Sequence, residues 1–348
     1  GQVCFSDFSL HDETFHSPKM VSASSQLPLH SPESVFESST NTGWKAEAGD
    51  ASPEWFVDFG RQVRFGGLII HWPTPMPPRS YQVEISEDGE TWSPIHQASH
   101  TLGLLSHISA PHAEARYLRM HFDNFESAAL AVLQLRPDSF SHTPNEFIHS
   151  VATDYPRGWY PRYWHREQSY WTPIGSPEGR RRGLVNEEGM VEVDEAGFSL
   201  EPFLIVDDKL VTWADAEIGL SLSADGAPFP VVTWQADDVK LVIQPWVDGA
   251  RDNLTLRVSY QIEKPPHRNV RFAVTIRPYQ VNPPWQAFRN LGGRSPIHRI
   301  QCDADGMSVD DKRVTADKPP QSIGASSFEE GGVVEFLANH DFPSRTEV

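Results

Sequence analysis

The chain has 348 residues, of which 39% are hydrophobic, so it is long enough to form two domains with substantial apolar cores. Its formal net charge of −18 argues against nucleic acid and anionic membrane surfaces as partners. No apolar stretch approaches the roughly 18 residues that a membrane-spanning helix needs, so no membrane span is predicted. The 29 prolines disfavour long helices and favour short strands joined by loops.

Strand patterns dominate the first part of the chain. Tyr81, Val83 and Ile85 alternate with polar residues, which predicts a strand with one apolar face on a sheet. The following Asp88–Gly89 pair predicts a tight hairpin turn, because glycine accepts a positive φ angle without steric cost. Further strands are predicted at 65–72, 116–122 and 130–135. Many short strands with frequent turns indicate a β-sandwich.

Four segments within residues 34–137 carry a resemblance to a known family: Ser34–Trp44, Glu54–Gly60, Tyr81–Trp92 and Ala115–Met120. Their order resembles the discoidin fold, which coagulation-factor C-type domains share with many bacterial carbohydrate-binding modules. The resemblance implies a discoidin-like jelly-roll β-sandwich over residues 15–137, after an N-terminal lead at 1–14. It also implies a module that recognises sugars or surfaces and has no catalytic machinery of its own.

In modules of this type, the loops at one end of the sandwich hold an aromatic side chain and a few polar groups. An aromatic ring stacks on the apolar face of a sugar while polar groups bond its hydroxyls. The candidates for carbohydrate binding here are Trp72, Arg79, Asn124 and Phe125. Two alternatives stay open, since Trp72 could be a strand-end core residue and Asn124–Phe125 could form a simple turn.

The resemblance also implies a possible structural calcium, which needs six to eight oxygen ligands. Glu37 and Thr42 are the candidate metal ligands, although two positions that usually supply oxygens carry other residues. No other cofactor is expected. Asp58 and Arg116 match the family pattern and are assigned to structure, with Asp58 capping or pairing locally and Arg116 holding a carboxylate across the sheet.

Residues 138–170 are rich in proline, histidine and aromatics without a clear period, which predicts an aromatic linker that becomes a packed loop region. Longer alternating strands return over 171–348 and predict a larger antiparallel sandwich with one covered face. The expected fold class is therefore all-β, with the discoidin-like sandwich followed by this larger one.

The second region is similar to the N-terminal β-sandwich that precedes the helical barrel of glucoamylase-like enzymes and disaccharide phosphorylases. The segments that carry this similarity are Tyr163–Trp171, Phe198–Phe203, Val211–Asp215 and Arg277–Gln286. The similarity implies a helical domain of the same protein beyond Val348. It also implies an exposed aromatic surface, drawn from Tyr160, Trp164, Tyr279 and Trp285, unless these side chains fill the core of their own domain.

Acid–base chemistry has only weak candidates. Glu201 and Asp215 are the carboxylates considered for catalysis, and Asp215 is expected to share one face of a strand with Glu217. Solvated carboxylates in an acidic protein are the preferred explanation, because acidic residues are mostly exposed. The sequence contains no metalloprotease, nucleophile-elbow, phosphate-loop or dinucleotide-binding motif.

Three functions compete. The preferred hypothesis is a noncatalytic carbohydrate-binding and scaffold segment of a larger glycoside-hydrolase-like protein, with an oligo- or polysaccharide as partner. The alternatives are a polysaccharide-active enzyme with its site on the second sandwich, and a protein-interaction or adhesion module. Two cysteines, Cys4 and Cys302, exclude a disulfide framework but leave the compartment open, with a secreted or periplasmic location preferred.

Overall fold

The computed structural model describes residues 18–37, 43–74, 79–126, 128–223, 228–251, 253–286, 292–342 and 344–348. The chain divides into two compact units. The first extends to Phe147 and also includes Phe328–Gly331, and the second comprises Ile148–Ser327 and Gly332–Val348. Within the described ranges, none of the helices has the length and apolarity to cross a membrane.

The first unit is built from eight strands among its described residues. They are β1 (Met20–Ala23), β2 (Trp44–Lys45), β3 (Glu54–His71), β4 (Arg79–Ser86), β5 (Ser93–Thr101), β6 (Leu105–Phe122), β7 (Ala129–Leu130) and β8 (Val132–Arg136). Five of them follow the order β1-β3-β6-β4-β5, all antiparallel, while β8 pairs with β3 and β2 pairs with β7. This is the antiparallel β architecture that the strand patterns predict.

The two long strands β3 and β6 contribute to two groups of strands. The first half of β3 pairs with β1, whereas its last five residues, 67–71, pair with β8. The β3–β6 register shifts between Asp58 and Val63 and again between Phe65 and Gly67. Such irregularities bend a strand and raise its local twist. The irregularities lie between the part of β3 that pairs with β1 and the part that pairs with β8.

The predicted alternation in β4 is confirmed, because Tyr81 and Val83 are buried in the core of the first unit and Ile85 packs against it. Trp44 and Trp55 lie in the same core at 1% and 0% exposure. The predicted Asp88–Gly89 turn is also confirmed. Gly89 has φ +81°, and Asp88 Oδ1 accepts hydrogen bonds from the two amides that follow the glycine.

A short segment from much later in the chain belongs to the first unit. Phe328–Gly331 lies beside the end of β5, where the amide of Leu102 donates to the carbonyl of Glu330 at 2.8 Å. The Thr101 hydroxyl donates to the carbonyl of Glu329 at 3.0 Å. This segment therefore satisfies backbone and side-chain groups that the strand itself leaves open.

The second unit contains thirteen strands among its described residues. They are β9 (Trp171–Gly175), β10 (Arg182–Asn186), β11 (Val191–Glu192), β12 (Ser199–Val206), β13 (Lys209–Val211), β14 (Glu217–Leu222), β15 (Pro230–Ala236), β16 (Val239–Ala250), β17 (Asn253–Glu263), β18 (Val270–Arg277), β19 (Ile300–Asp303), β20 (Gly306–Val309) and β21 (Lys312–Thr315). One sheet runs β13-β12-β11-β10-β9 with β18 on β12, another runs β14-β15-β16-β17, and β19-β20-β21 form a third.

The core of the second unit is shared by its two larger sheets. Val185 and Leu204 come from the first of them, and Trp234, Leu241 and Ile243 come from the second. All five side chains are at most 1% exposed. The larger sandwich is thus made by two sheets that bury their apolar faces against each other. Together with the first unit it confirms the all-β fold class.

The described residues include two α-helices, α1 (Pro144–Thr153) and α2 (Val333–Asn339). The first lies within the region expected to be an irregular linker, and its start is set by local chemistry. The amide and hydroxyl of Thr143 donate to Glu146 Oε2 at 3.1 and 3.2 Å, while the amide of Glu146 donates to Thr143 Oγ1 at 3.2 Å. With Pro144 at the first helical position, this is a capping box.

The expected exposed aromatic surface is wrong for three of its four members. Tyr160, Trp164 and Tyr279 are 6%, 1% and 4% exposed, and only Trp285, at 52%, faces solvent. The ring centroids of Trp164 and Tyr279 are 5.9 Å apart, and those of Tyr160 and Tyr279 are 6.0 Å apart. These aromatics fill the core of their own unit because their large apolar rings gain most from burial there.

Candidate functional site

A polar loop follows β6 at one end of the first unit. The amide of Asp123 donates to the carbonyl of Ser80 at 3.1 Å, which holds the loop against the start of β4. The amide of Ala128 donates back to the carbonyl of Phe125 at 3.2 Å and closes a turn. Asn124 is exposed and Phe125 is half-buried, so solvent reaches both residues of the loop.

Two other residues assigned to this end from the sequence are buried. Trp72 is 4% exposed, its indole N–H donates to Ser106 Oγ at 2.9 Å, and its ring centroid lies 4.9 Å from that of Tyr81. Arg79 is 2% exposed, lies over Trp72 with its guanidinium carbon 4.7 Å from the ring centroid, and donates to the carbonyl of Gly103.

The assignment of Trp72 and Arg79 as sugar-contacting residues is therefore corrected. An indole whose face is covered by a guanidinium has no free surface on which a sugar ring could stack. The alternative of a strand-end core residue holds for Trp72. Asn124 and Phe125 are the predicted sugar ligands that remain accessible.

The predicted calcium ligands are only partly described. Glu37 is exposed just after a short 3-10 helix at Pro32–Phe36, and its amide donates to the carbonyl of Ser34 at 3.0 Å. Thr42 lies outside the described residues. Calcium binding by Glu37 and Thr42 stays a prediction, with carboxylate and hydroxyl oxygens as the relevant donors.

Asp58 and Arg116, which the sequence analysis assigns to structure, form an ion pair between β3 and β6. Arg116 Nε donates to Asp58 Oδ1 at 2.8 Å and Arg116 Nη2 to Oδ2 at 3.0 Å, so the guanidinium holds the carboxylate in a fork. Oδ1 of the same aspartate also accepts from the amide of Gly60 at 2.7 Å. The bond from Arg116 lowers the pKa of Asp58 below its usual value. Both expectations are confirmed.

In the second unit, Glu201 belongs to a buried ion pair. Its carboxylate accepts from Arg277 Nε at 3.0 Å, from Arg277 Nη2, and from Ser199 Oγ at 2.7 Å. Glu201 and Arg277 are both 5% exposed, and the guanidinium also donates to the carbonyl of Trp159 at 2.7 Å. A carboxylate whose oxygens are held in this way is poorly placed to exchange protons with a substrate, so its observed role is structural.

Asp215 caps a 3-10 helix at Trp213–Asp215. Its Oδ2 accepts from the amide and the hydroxyl of Thr212 at 2.9 and 2.7 Å, while the amide of Ala214 donates to Thr212 Oγ1. The expectation that Asp215 and Glu217 share one face of a strand is wrong, because Asp215 precedes β14 and lies in this helical turn. The geometry gives Asp215 a capping role.

A small cavity in the second unit brings buried carboxyl groups together with aromatic rings. Glu188, Glu201, Trp213 and Trp234 are among the residues that line it, and it admits about one water molecule. Burial raises the pKa of Glu188 to about 8, although its contact with the Arg162 guanidinium acts in the opposite direction. A pocket for an organic ligand usually encloses roughly 300–1,000 Å³. A cavity that admits about one water molecule is therefore too small for a sugar ring.

A third buried carboxyl group lies outside that cavity. Glu192 accepts backbone hydrogen bonds from Ala196 at 2.9 Å and Val281 at 2.7 Å, and burial raises its pKa to about 7. The two bonds tie the turn after β11 to the segment after β18. No sequence pattern indicates this role, because one of the two partners, Val281, is 89 residues away.

These observations define a two-unit, all-β protein whose first sandwich carries an open polar loop end and whose best catalytic candidates are engaged in structural bonds. Comparison with protein families supplies the identity of the first sandwich. Residues 20–132 match the F5/8 type C domain family and form a domain of that type. The resemblance of this region to the discoidin fold is thereby confirmed. No curated protein matches the chain.

Among solved structures, the chain is similar to a GH29 fucosidase of Ruminococcus gnavus in complex with fucose, at 17% identity and a TM-score of 0.31. That match covers 34% of this chain and 25% of the fucosidase, so the chain spans about a quarter of its length. A CBM32 module of a Clostridium perfringens GH89 protein matches at 17% identity and a TM-score of 0.31, over 34% of this chain and 92% of the module.

The family 32 carbohydrate-binding module of Clostridium perfringens NanJ, in complex with galactose, matches at 14% identity and a TM-score of 0.31. The match covers 33% of this chain and 91% of that module. Likenesses at these identities and TM-scores do not indicate what this chain binds.

Proposed function

We propose that this chain is a noncatalytic carbohydrate-binding segment, and that its first unit binds an oligo- or polysaccharide at the loop carrying Asn124 and Phe125. The observation that carries the proposal is an F5/8 type C domain in which the loop after β6 exposes Asn124 and leaves Phe125 half-exposed. A sugar offers an apolar C–H face to the ring and hydroxyl groups to the amide. The two side chains provide the complementary pair.

Binding at such a loop is expected to be weak. A shallow site buries little area, and association must offset lost translational and rotational freedom. A dissociation constant on the order of 0.1–1 mM is expected for a single sugar unit. Useful retention on a polymer then comes from several modules or repeated sugar units acting together.

For the second unit we propose a scaffold role within a larger glycoside-hydrolase-like protein. The engagement of Glu201 with Arg277 and of Asp215 with Thr212 supports a noncatalytic role for both carboxylates. The larger context rests on the similarity of residues 170–345 to sandwiches that precede helical barrels. A helical domain of the same protein, and a secreted or periplasmic location, belong to the same proposal.

The test is a titration of the full chain with oligosaccharides chosen from a glycan array, repeated with Asn124→Ala and Phe125→Ala. Each substitution should weaken binding by about tenfold, because a lost stacking contact or hydrogen bond of about 1–1.5 kcal/mol changes affinity by that factor. Tyr170→Ala is the matched control, since Tyr170 is an aromatic residue 66% exposed in the second unit.

Unchanged titration curves for both loop variants would reject this site. If the chain binds none of the glycans on the array and binds a protein partner instead, the adhesion-module alternative is favoured. Turnover of an oligosaccharide by the same chain, abolished by Glu201→Gln or Asp215→Asn in a variant that stays folded, would favour the enzyme alternative.

A further inference from the structure

Three metal-ligating side chains meet on the first unit, and none of them belongs to the loop of Asn124 and Phe125. His112 lies in β6, within the irregular stretch of the β3–β6 pairing, and has φ +59°. Asp138 is the first residue of a 3-10 helix at Asp138–Phe140, and His142 lies four residues after Asp138. One ligand atom from each residue can be chosen so that all three lie within 4.8 Å of one another.

The separations fit a single metal ion. His112 Nδ1 lies 3.1 Å from Asp138 Oδ1, and His142 Nδ1 lies 3.9 Å from Asp138 Oδ2. With bonds of about 2.0–2.1 Å, neighbouring ligand atoms of a tetrahedral zinc ion are about 3.3 Å apart. Small side-chain rotations therefore bring the three atoms to the required spacing.

The donor set selects the kind of metal. Two imidazole nitrogens and one carboxylate oxygen suit zinc and related transition-metal ions, whereas calcium prefers six to eight oxygens. An ion could arrive from solvent, because the side chains of His112 and His142 are 53% and 55% exposed and that of Asp138 is 25% exposed. The donor set is thus distinct in chemistry from the predicted calcium ligands.

Two adjacent glycines explain why the segment carrying Asp138 and His142 comes so close to β3. A Cβ atom on Gly66 would lie 2.8 Å from the carbonyl oxygen of Asp138, and one on Gly67 would lie 2.8 Å from the Phe140 ring. The Ser141 hydroxyl also donates to the carbonyl of Gly66. The segment is therefore already held against the bend of β3 and β6 before any ion binds.

Arg64 is the group that competes with an ion at this place. Its Nη2 lies 3.1 Å from Asp138 Oδ2 and 3.4 Å from His112 Nδ1. A divalent cation would repel this guanidinium. The Arg64 side chain is 49% exposed and can turn outward, so its charge lowers the affinity for metal without blocking the site.

We propose that His112, Asp138 and His142 form a zinc-binding site that fastens the segment after β8 to the bend of β3 and β6. Three protein ligands leave one position of a tetrahedral ion for water. The ion joins residues that are 26 positions apart in the chain, and it binds only the folded arrangement. Zinc should therefore raise the thermal stability of the first unit.

The experiment is isothermal titration of the full chain with zinc chloride, with cobalt(II) absorption as a second readout of nitrogen and oxygen coordination. His112→Ala and His142→Ala should each weaken zinc binding about tenfold or more, since even residues that only support metal ligands contribute about 10–100-fold. Arg64→Gln should bind zinc more tightly than the unsubstituted chain. His267→Ala is the control, because His267 pairs with Asp238 at 3.6 Å and, among the residues that the structure describes, no third metal-ligating side chain joins them.

Thermal unfolding without metal establishes that each variant is folded. The proposal is supported if zinc raises the unfolding temperature of the unsubstituted chain and of His267→Ala but not of His112→Ala or His142→Ala. It is overturned if the unsubstituted chain binds no zinc at millimolar concentration. Equal zinc affinity in folded His112→Ala, His142→Ala and unsubstituted chains would also overturn it, because other histidines would then hold the metal.

Discussion

Removing the charge of Glu201 tests whether this carboxylate is a structural group or a catalytic one. In Glu201→Gln the side chain keeps its shape but loses the negative charge that compensates Arg277, which is 5% exposed. Breaking a buried ion pair by removing one partner destabilises a protein by about 3–5 kcal/mol. Domains are commonly stable by only about 5–15 kcal/mol, so the second unit should lose a large fraction of its stability.

The measurement is urea unfolding followed by hydrogen-exchange mass spectrometry on peptides from β12 and β18, which pair across Glu201. With a urea dependence of about 2 kcal/mol/M, the midpoint should fall by about 2 M. The double variant Glu201→Gln/Arg277→Met removes the buried guanidinium as well and should recover much of the loss, because no uncompensated charge then remains buried.

Asp207→Asn is the matched control in the same unit. Asp207 pairs with Arg268 at 2.6 Å, but its side chain is 44% exposed, so the midpoint should scarcely move. Equal midpoints for Glu201→Gln and the unsubstituted chain would refute the reasoning. A double variant no more stable than Glu201→Gln would show that the uncompensated guanidinium is not the source of the loss.

Three further predictions concern the first unit and α1. The bond from Arg116 lowers the pKa of Asp58, so the stability from this pair is present above about pH 4 and is lost as pH falls through the folded-state pKa. The acid unfolding of Asp58→Asn should lack this pH-dependent loss of stability. Identical acid-unfolding profiles for Asp58→Asn and the unsubstituted chain would contradict the prediction. Thr143→Ala removes one half of the capping box and should destabilise α1 by about 1 kcal/mol, measured by thermal unfolding, whereas no change would show that Pro144 suffices to start the helix. Gly66→Ala should destabilise the first unit by about 1–3 kcal/mol in urea, because the new methyl group meets backbone atoms of residues 137–138; a neutral result would mean that this segment is free to move away.

The sequence predicts the strands well because their signals are local. Alternation over residues 81–85 and the turn at Asp88–Gly89 depend only on neighbouring residues. The helix α1 also has a local signal, Thr143-Pro144-Asn145-Glu146, but the aromatic and proline-rich composition around it favours a loop interpretation. For α1, the capping-box residues predict the helix better than the composition of the surrounding segment does.

The site residues were harder to predict, because burial depends on distant contacts. Trp72 is enclosed by Ser106 and Tyr81, which are 34 and 9 positions away, and nothing in the Pro73–Pro78 sequence indicates that arrangement. Glu201 and Arg277 are 76 positions apart. For the same reason, the cluster of His112 with Asp138 and His142 has no recognisable spacing in the sequence and becomes visible only when β6 and the segment after β8 are brought together.

The return of Phe328–Gly331 to the first unit has a consequence for anyone who wishes to move this module between proteins. The family match at 20–132 suggests a portable cassette, yet the amides of Leu102 and Gly103 donate to Glu330, more than 200 residues downstream. If residues 20–132 were transferred alone, these two amides would lose their protein acceptor and could bond only to water. Grafting therefore requires a short peptide that replaces Phe328–Gly331 beside β5. A protease that cuts near residue 330 would destabilise the first unit without cutting within residues 20–132.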